Sequence, residues 1–289
     1  MSPNSILLRA APFLFIVSWA SGFPITRLGL EYAEPFTILW IRSALVAVPV
    51  GAYVLVMRVP WPSIREIAHI AFVGVTLQSL YLGSMFMAID GHVSQGVAAL
   101  IAGMQPLLTA AVVGITLGEK VSRIQWVGFT LGFAGLFIVL SERMGIGAGT
   151  AAGFFFSGLT PIFITTASLY QKKFCANSDL RIVMVVQQIA AGFCNFCIAM
   201  AIGTGEITWS AELIFVWIWL VVILTFGANN LYFLMLRHGA ASRVSSLFYL
   251  TPPTAVLMGW ISYGESMGLV ALGGFAVAIA GVFLITRSP

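Results

Sequence analysis

Charge is what this sequence has least of. Only 8% of its 289 residues are Asp, Glu, Lys or Arg, against about a quarter in an ordinary soluble domain. With 60% hydrophobic residues and a mean hydropathy of +1.00, the chain has too little polar surface to cover a water-soluble globule. That excludes a soluble enzyme, a nucleic-acid-binding domain and a disordered protein. Histidine is scarce and scattered: His69, His92 and His238 stand apart, near the edges of apolar runs. No H-E-x-x-H motif, no pair of embedded aspartates and no Ser–His constellation is present, so nothing supports an intramembrane enzyme, a metal or a cofactor. No ring of charge or carbonyl filter marks a channel. The three cysteines carry little. Cys194 and Cys197 have C-x-x-C spacing inside an apolar run and read as small buried residues; Cys175, beside Lys172 and Lys173, reads as a reduced thiol.

What the chain does have is long apolar runs. A spanning helix needs about 20 apolar residues, and ten such runs follow one another: Ala10–Gly29, Pro35–Met57, Ile67–Ile89, Ser94–Leu117, Ile124–Ser141, Ala151–Tyr170, Ile182–Ile202, Leu213–Leu236, Val244–Tyr263 and Met267–Thr286. They are numbered here spans 1 to 10. The connections are short. Long apolar runs without strict alternation predict an all-α membrane protein and exclude a barrel. The first run is long enough to span and nine more follow, so it is expected to be an uncleaved helix, not a signal peptide.

The few basic residues set an orientation. Eleven of fourteen fall at the two termini or after spans 2, 4, 6 and 8; Arg27 and Arg143 fall on the other side, and Arg42 lies within span 2. The positive-inside rule places both termini in the cytoplasm. The basic excess therefore records orientation and gives no sign of a nucleic-acid partner.

The chain also repeats itself. At an offset of 146 positions, Gly118-Glu119 meets Gly264-Glu265, Gly128-Phe129 meets Gly274-Phe275, Ala134-Gly135 meets Ala280-Gly281, Phe137 meets Phe283, and Pro106 meets Pro252. Residues 1–145 and 146–289 are thus expected to be two copies of a five-helix unit. Five is odd, so the copies enter the membrane from opposite faces, as in many secondary transporters, whose sites lie at the midplane between the copies.

On these residues the chain resembles the drug/metabolite transporter superfamily, specifically its EamA-type ten-helix exporters. Trp19-Ala20-Ser21-Gly22-Phe23-Pro24 is similar to that family's first-helix motif, and Pro35 with Arg42 to its second-helix signature. Ser94-Gln95-Gly96, Ala98-Ala99 and Pro106 are similar to its fourth helix; Gly118-Glu119-Lys120, Trp126-Val127-Gly128 and Ala134-Gly135 are similar to its fifth-helix region. Ser242, Pro252, Gly264-Glu265, Gly274 and Ala280-Gly281 repeat the pattern. Leu159-Thr160-Pro161 in span 6 departs from the Trp-containing stretch frequent there. The resemblance implies a secondary transporter in the bacterial inner membrane, working by alternating access around a cavity lined by spans 1, 3, 4, 6, 8 and 9. Its implied substrates are small organic solutes, with export of amino acids or related metabolites favoured and uptake by the same fold as the alternative. It implies no oligomeric state.

Within that frame, embedded polar and aromatic groups are the candidate substrate contacts: Trp19, Phe23, Gln78, Tyr81, Gln105, Asn229, Asn230, Tyr232, Tyr249 and Thr251. In lipid such groups otherwise hold helices together. Asn229-Asn230 is the preferred pair, because two adjacent amides cannot both face lipid comfortably. Pro24, Pro106, Pro161 and Pro252, with Pro253, interrupt four of the cavity spans and are candidate bending points. Glu119 and Glu265 each precede an apolar helix and are expected to meet its positive dipole end. Arg42, about 10 Å from the outer end of span 2, is the sole ionisable group well inside a span. It is expected to be structural, snorkelling or pairing with Glu31 or Glu34 near the outer face, with a substrate carboxylate as its other candidate partner. No acidic residue lies well inside a span. The expected mechanism is accordingly facilitated export or exchange, without a carboxylate that carries protons. Gly128, Gly132 and Gly135, with Gly273-Gly274 and Gly281, allow close packing of spans 5 and 10, as seams within the repeat or between subunits.

Overall fold

The computed structural model describes residues 3–93, 95–141, 149–251, 253–254, 258 and 268–287. Helices occupy most of the described part of each of the ten predicted spans, and among the described residues the only β pairing is a single bridge between Ala33 and Ile207. Span 1 is α1 (Pro3–Ala20) and α2 (Gly22–Leu30), span 2 is α3 (Pro35–Val56), and span 3 runs from α4 (Ile64–Gly74) to α5 (Leu82–Asp90) through a π-helical stretch at Val75–Tyr81. Span 4 is α6 (Gln95–Ala102) and α7 (Gln105–Leu117), and span 5 is α8 (Arg123–Ser141). Spans 6 and 7 are α9 (Ala151–Phe174) and α10 (Leu180–Ile202). Span 8 joins α11 (Ala211–Trp219) to α12 (Asn230–His238) through a second π-helical stretch, Leu220–Asn229. Span 9 begins as α13 (Ala241–Ser246) and a 3₁₀ turn (Leu247–Leu250); Tyr263 and much of this span lie outside the described residues. Span 10 is α14 (Leu269–Arg287).

Six of these, spans 1, 2, 3, 6, 7 and 8, are long and apolar enough to cross a bilayer, and α7, α8 and α14 are shorter apolar helices. The distribution of side chains is that of a protein dissolved in lipid. Ile115 is 90% exposed and Phe193 71%, while Gln78, Gln105, Gln187, Gln188 and Asn195 are buried. Apolar groups facing outward and amides facing inward are stable only where the surrounding solvent is hydrocarbon.

Local sequence explains where helices start and break. Ser63, Thr150, Asp179 and Ser210 cap α4, α9, α10 and α11 with side-chain oxygens, each satisfying a backbone N–H that has no partner in its helix. Ser122 and Gln125 cap α8 reciprocally: Gln125 Oε1 accepts from Ser122 N at 2.9 Å and Ser122 Oγ from Gln125 N at 3.2 Å. Pro24 has no N–H for the carbonyl of Ala20, and α1 ends at Ala20. Pro106 likewise leaves the carbonyl of Ala102, where α6 ends.

Pro161 does not interrupt its helix, contrary to expectation. α9 runs unbroken through it, because the Thr160 hydroxyl donates to the Ser157 carbonyl at 2.7 Å, the acceptor that a proline at 161 cannot serve. Thr251 does the same for the Phe248 carbonyl at 2.9 Å, four residues ahead of Pro252 in the sequence. Pro252 itself and Glu265 lie outside the described residues; Pro253 is buried.

The glycine seam lies within the chain. α8 and α14 run antiparallel in backbone contact. A Cβ on Gly128 would stand 2.8 Å from the Gly281 carbonyl, and one on Gly135 2.6 Å from that of Gly274. Gly132 leaves room for the ring of Tyr249. Gly192 in α10 lies against Ser43 in α3.

Candidate functional site

The breaks and π-helical stretches of spans 1, 3 and 8 meet around one cavity. Its volume is about 590 Å³ including its mouth. Trp19, Gly22, Phe23 and Thr26 line it from span 1; Leu77, Gln78, Tyr81, Leu82, Met85 and Phe86 from span 3; Leu220, Leu224 and Asn229 from span 8; and Arg42 from span 2. A smaller void shares Trp19, Phe23 and Tyr81 and continues to Gly103 and Gln105 of span 4, Ile164 of span 6, and Phe248 and Thr251 of span 9. Spans 1, 3, 4, 6, 8 and 9 therefore all contribute, and span 2 joins them through one side chain.

That side chain is Arg42, 2% exposed. It does not pair with Glu31 or Glu34. Its Nε and Nη2 donate to Thr225 Oγ1 at 3.0 and 2.8 Å, and Nη2 donates to Gln78 Oε1 at 2.9 Å. Both partners sit on π-helical stretches. A π turn adds a residue to the helix and shifts its register, and here the two shifts aim Gln78 and Thr225 at the same guanidinium. The hydroxyl of Thr225 donates in turn to the Leu220 carbonyl at 2.8 Å, and the Gln78 carbonyl accepts from Asn195 Nδ2 at 3.4 Å. Glu34 instead accepts from the Thr204 backbone N–H and hydroxyl at 2.9 and 3.0 Å. Those bonds, the backbone one first, hold its pKa below the usual carboxylate range.

The other predicted contacts divide into three groups. Trp19, Phe23, Gln78, Tyr81 and Asn229 line the cavity, and Gln105 and Thr251 line its continuation. Asn230 does not join Asn229. One residue on, it turns about 100° around the helix, bonds the Phe226 carbonyl at 3.0 Å and lies on a lateral apolar groove with Leu14, Tyr53 and Met184. The two amides avoid lipid differently, one by facing the cavity and one by bonding its own helix. Tyr232 and Tyr249 are fully buried in packing. Tyr232 bonds Ser168 at 2.5 Å and stacks on Phe15 with centroids 5.5 Å apart. Tyr249 fills the notch above Gly132.

Compared with known proteins, the chain matches the model of the EamA-like transporter family twice, over residues 8–141 and 150–287. The chain belongs to this family. It is an integral, multi-pass membrane transporter. It is similar to the "Uncharacterized inner membrane transporter YedA" of Escherichia coli (23% identity, covering 96% of this chain and 90% of that one). It is also similar to the "Probable terminal-alkyne amino-acid exporter" of Streptantibioticus cattleyicolor (25%, covering 95% and 91%) and the "Probable amino-acid metabolite efflux pump" of Salmonella typhimurium (21%, covering 94% and 92%). A solved crystal structure aligns over 96% of both chains with a TM-score of 0.78 at 17% identity, a likeness of fold.

Two closures flank the cavity of this EamA-like transporter. Toward the chain's N-terminus, Phe15, Trp19, Tyr232 and Phe248 form a buried aromatic layer with centroids 5.1–5.8 Å apart. On the opposite side, the loops after spans 1 and 7 are clasped by Glu34–Thr204, the Ala33–Ile207 bridge, and a bond from Thr208 N to the Tyr32 carbonyl at 2.8 Å. The Trp219 indole donates to Ser21 Oγ at 2.8 Å and ties span 8 to the break in span 1.

Glu119 meets a helix start, though not that of the helix that follows it. It accepts from Ala241 N at 3.1 Å at the beginning of α13 and pairs with Lys172 at 3.0 Å; Lys172 also donates to the Gly239 carbonyl. The start of α8 has its own cap in Ser122 and Gln125, which leaves Glu119 free to join spans 4, 6 and 9. Among the described residues no group of three or more His, Cys, Asp or Glu could hold a metal. The contributors least visible in the sequence are Thr225 and the apolar wall from Leu77 to Phe86, because a π turn leaves hydropathy unchanged.

Proposed function

We propose that this transporter exports amino acids or related small metabolites across the bacterial inner membrane by alternating access between two inverted halves, residues 1–145 and 146–289, with both termini in the cytoplasm. The observation that carries the proposal is the cavity itself. It lies where helix breaks and π turns of spans 1, 3 and 8 converge, and it is walled by amides, aromatics and apolar side chains, with a closure on either side. Irregular backbone at membrane depth is tolerated where it lines a cavity, and carriers place their sites there.

Several features support the inverted halves. The family model matches once in each half. The π-helical stretches begin 145 residues apart, at Val75 and Leu220. In the α8–α14 seam, Gly128 meets Gly281 and Gly135 meets Gly274. At the 146-residue offset this is a reciprocal pairing, the kind a two-fold axis generates. The orientation rests on the eleven-to-two distribution of basic residues, and the substrate class on the printed names of the two relatives. In this picture the aromatic layer of Phe15, Trp19, Tyr232 and Phe248 is the cytoplasmic gate, and Pro24 and Pro106 mark hinges at real breaks. Pro161, inside an unbroken helix, is not one of them. No cavity-lining carboxylate is present among the described residues, so transport runs down the substrate's own gradient or by exchange.

Overexpression in a bacterial host followed by challenge with amino acids, their toxic analogues and drugs tests this. Resistance with a lower cell content of the compound is the expected result. Sensitisation would reverse the direction, and efflux from proteoliposomes that depended on an imposed pH gradient would overturn the uncoupled mechanism.

A further inference from the structure

The Arg42 guanidinium is under-used. It carries five N–H donors, and three bonds, one from Nε and two from Nη2, go to Thr225 and Gln78. Nη1 makes no hydrogen bond among the described residues, and Arg42 lines the cavity. The charge is also unbalanced. Thr225 and Gln78 are neutral, and the described ion pairs, Lys172–Glu119 and Arg181–Asp179, lie at helix ends. A guanidinium stays protonated under all ordinary conditions, and a buried cation is costly unless an anion and hydrogen bonds compensate it. Among the described residues no acidic side chain lines the cavity to supply that anion.

We propose that Arg42 is the anchor for a carboxylate on the transported solute, so that the protein moves small organic monoanions with an apolar body. The two N–H groups of Nη1 are the donors left for the carboxylate, and a hydrogen bond between two charged groups is stronger than one between neutral groups. Asn229 stands on the same wall as a further polar contact, and Trp19, Phe23, Tyr81 and Leu224 receive the apolar body. A lone cation with no carboxylate beside it suits an acid, or an amino acid blocked at nitrogen, better than a free amine. Because Thr225 and Gln78 belong to spans 8 and 3, a bound anion also touches a side chain that ties span 2 to both halves.

This rests on the transporter function proposed above, and the test separates the two. Purified protein is offered three acid–amide pairs, N-acetylphenylalanine, N-acetylleucine and benzoylglycine, each with its neutral amide. Binding is followed by thermal stabilisation in detergent, and efflux is measured from proteoliposomes against protein-free vesicles. The acid member of at least one pair should bind and exit about tenfold or more better than its amide. Arg42→Gln should abolish that preference, and Arg42→Lys, which keeps the charge without the guanidinium that Thr225 and Gln78 hold in place, should restore part of it. If Arg42→Gln does not fold, the acid–amide comparison in the unaltered protein still decides. Equal handling of acid and amide in all three pairs, or an unchanged acid preference in Arg42→Gln, overturns the Arg42 anchor while leaving transport intact. Failure to move these probes and every compound of the challenge screen overturns the transporter function and the anchor with it.

Discussion

Arg42 and Thr225, 183 residues apart, share one oxygen: Nε and Nη2 of the arginine both donate to Thr225 Oγ1, at 3.0 and 2.8 Å. The hydroxyl proton is committed to the Leu220 carbonyl at 2.8 Å, so the oxygen faces the cation with its lone pairs. Thr225→Val keeps the shape and removes the acceptor. A hydrogen bond to a charged group contributes about 1.5–3 kcal/mol, and a loss of that size should appear as a lower melting temperature in detergent. Thr225→Ser should melt near the unaltered protein. Equal melting of the valine and serine variants would show that the bond does not hold the spans.

The seam between α8 and α14 makes a sharper demand on volume. A Cβ on Gly135 would stand 2.6 Å from the Gly274 carbonyl, whereas one on Gly158 meets nothing within 4 Å. Gly135→Val should therefore separate the helices and cost about 1–3 kcal/mol or more. Gly158→Ala should be tolerated or mildly stabilising, since Ala favours a helix by about 1 kcal/mol over Gly. Fluorescence-detected size exclusion after heating ranks the two, and comparable losses would place the seam elsewhere.

The sequence made the spans legible because hydrocarbon permits few solutions: a run of apolar residues must be helical and about one bilayer long. Each run is mostly helical over its described residues, with ends shifted by a few residues, as at Ile64 in place of Ile67. The site was legible in part. Trp19, Phe23, Gln78, Tyr81 and Asn229 could be singled out because a polar or amphipathic group inside a span needs a reason. Arg42's partners could not. Glu31 and Glu34 are its neighbours along the chain, but its neighbours in space are set by two π turns that no hydropathy pattern announces. Glu119 escaped in the same way. Which helix start it meets depends on how span 9 packs against span 4, and the Ser122–Gln125 cap had already taken the nearer one.

Cys175, just beyond the end of α9, supplies a prediction about pH. Burial, with the Glu66 carboxylate as a second contributor, pushes its thiol up to about 11. A raised pKa means less thiolate at neutral pH, and the thiolate is the reactive form. Alkylation by iodoacetamide at pH 7.5 should therefore be much slower than for a free thiol, whose pKa is about 8.5, and should accelerate as the pH rises toward 11. Denaturation should remove the protection. Mass spectrometry of the Cys175 peptide reads this directly, and rapid labelling of the folded protein at pH 7.5 would contradict it.

Thr160 and Pro161 test whether one side chain can stand in for a backbone donor. The proline leaves the Ser157 carbonyl without its helical N–H, and the Thr160 hydroxyl takes that place at 2.7 Å in a fully buried setting. Thr160→Val alone should cost about 1 kcal/mol, because the carbonyl is then unsatisfied. In a Pro161→Ala background the residue at 161 again has an N–H for that carbonyl, so the same valine substitution should cost close to nothing. The two effects are thus coupled, and a double-mutant cycle on melting temperatures measures the coupling. Additive effects would mean that α9 stays unbroken through packing against spans 3 and 4, with the threonine hydroxyl contributing little.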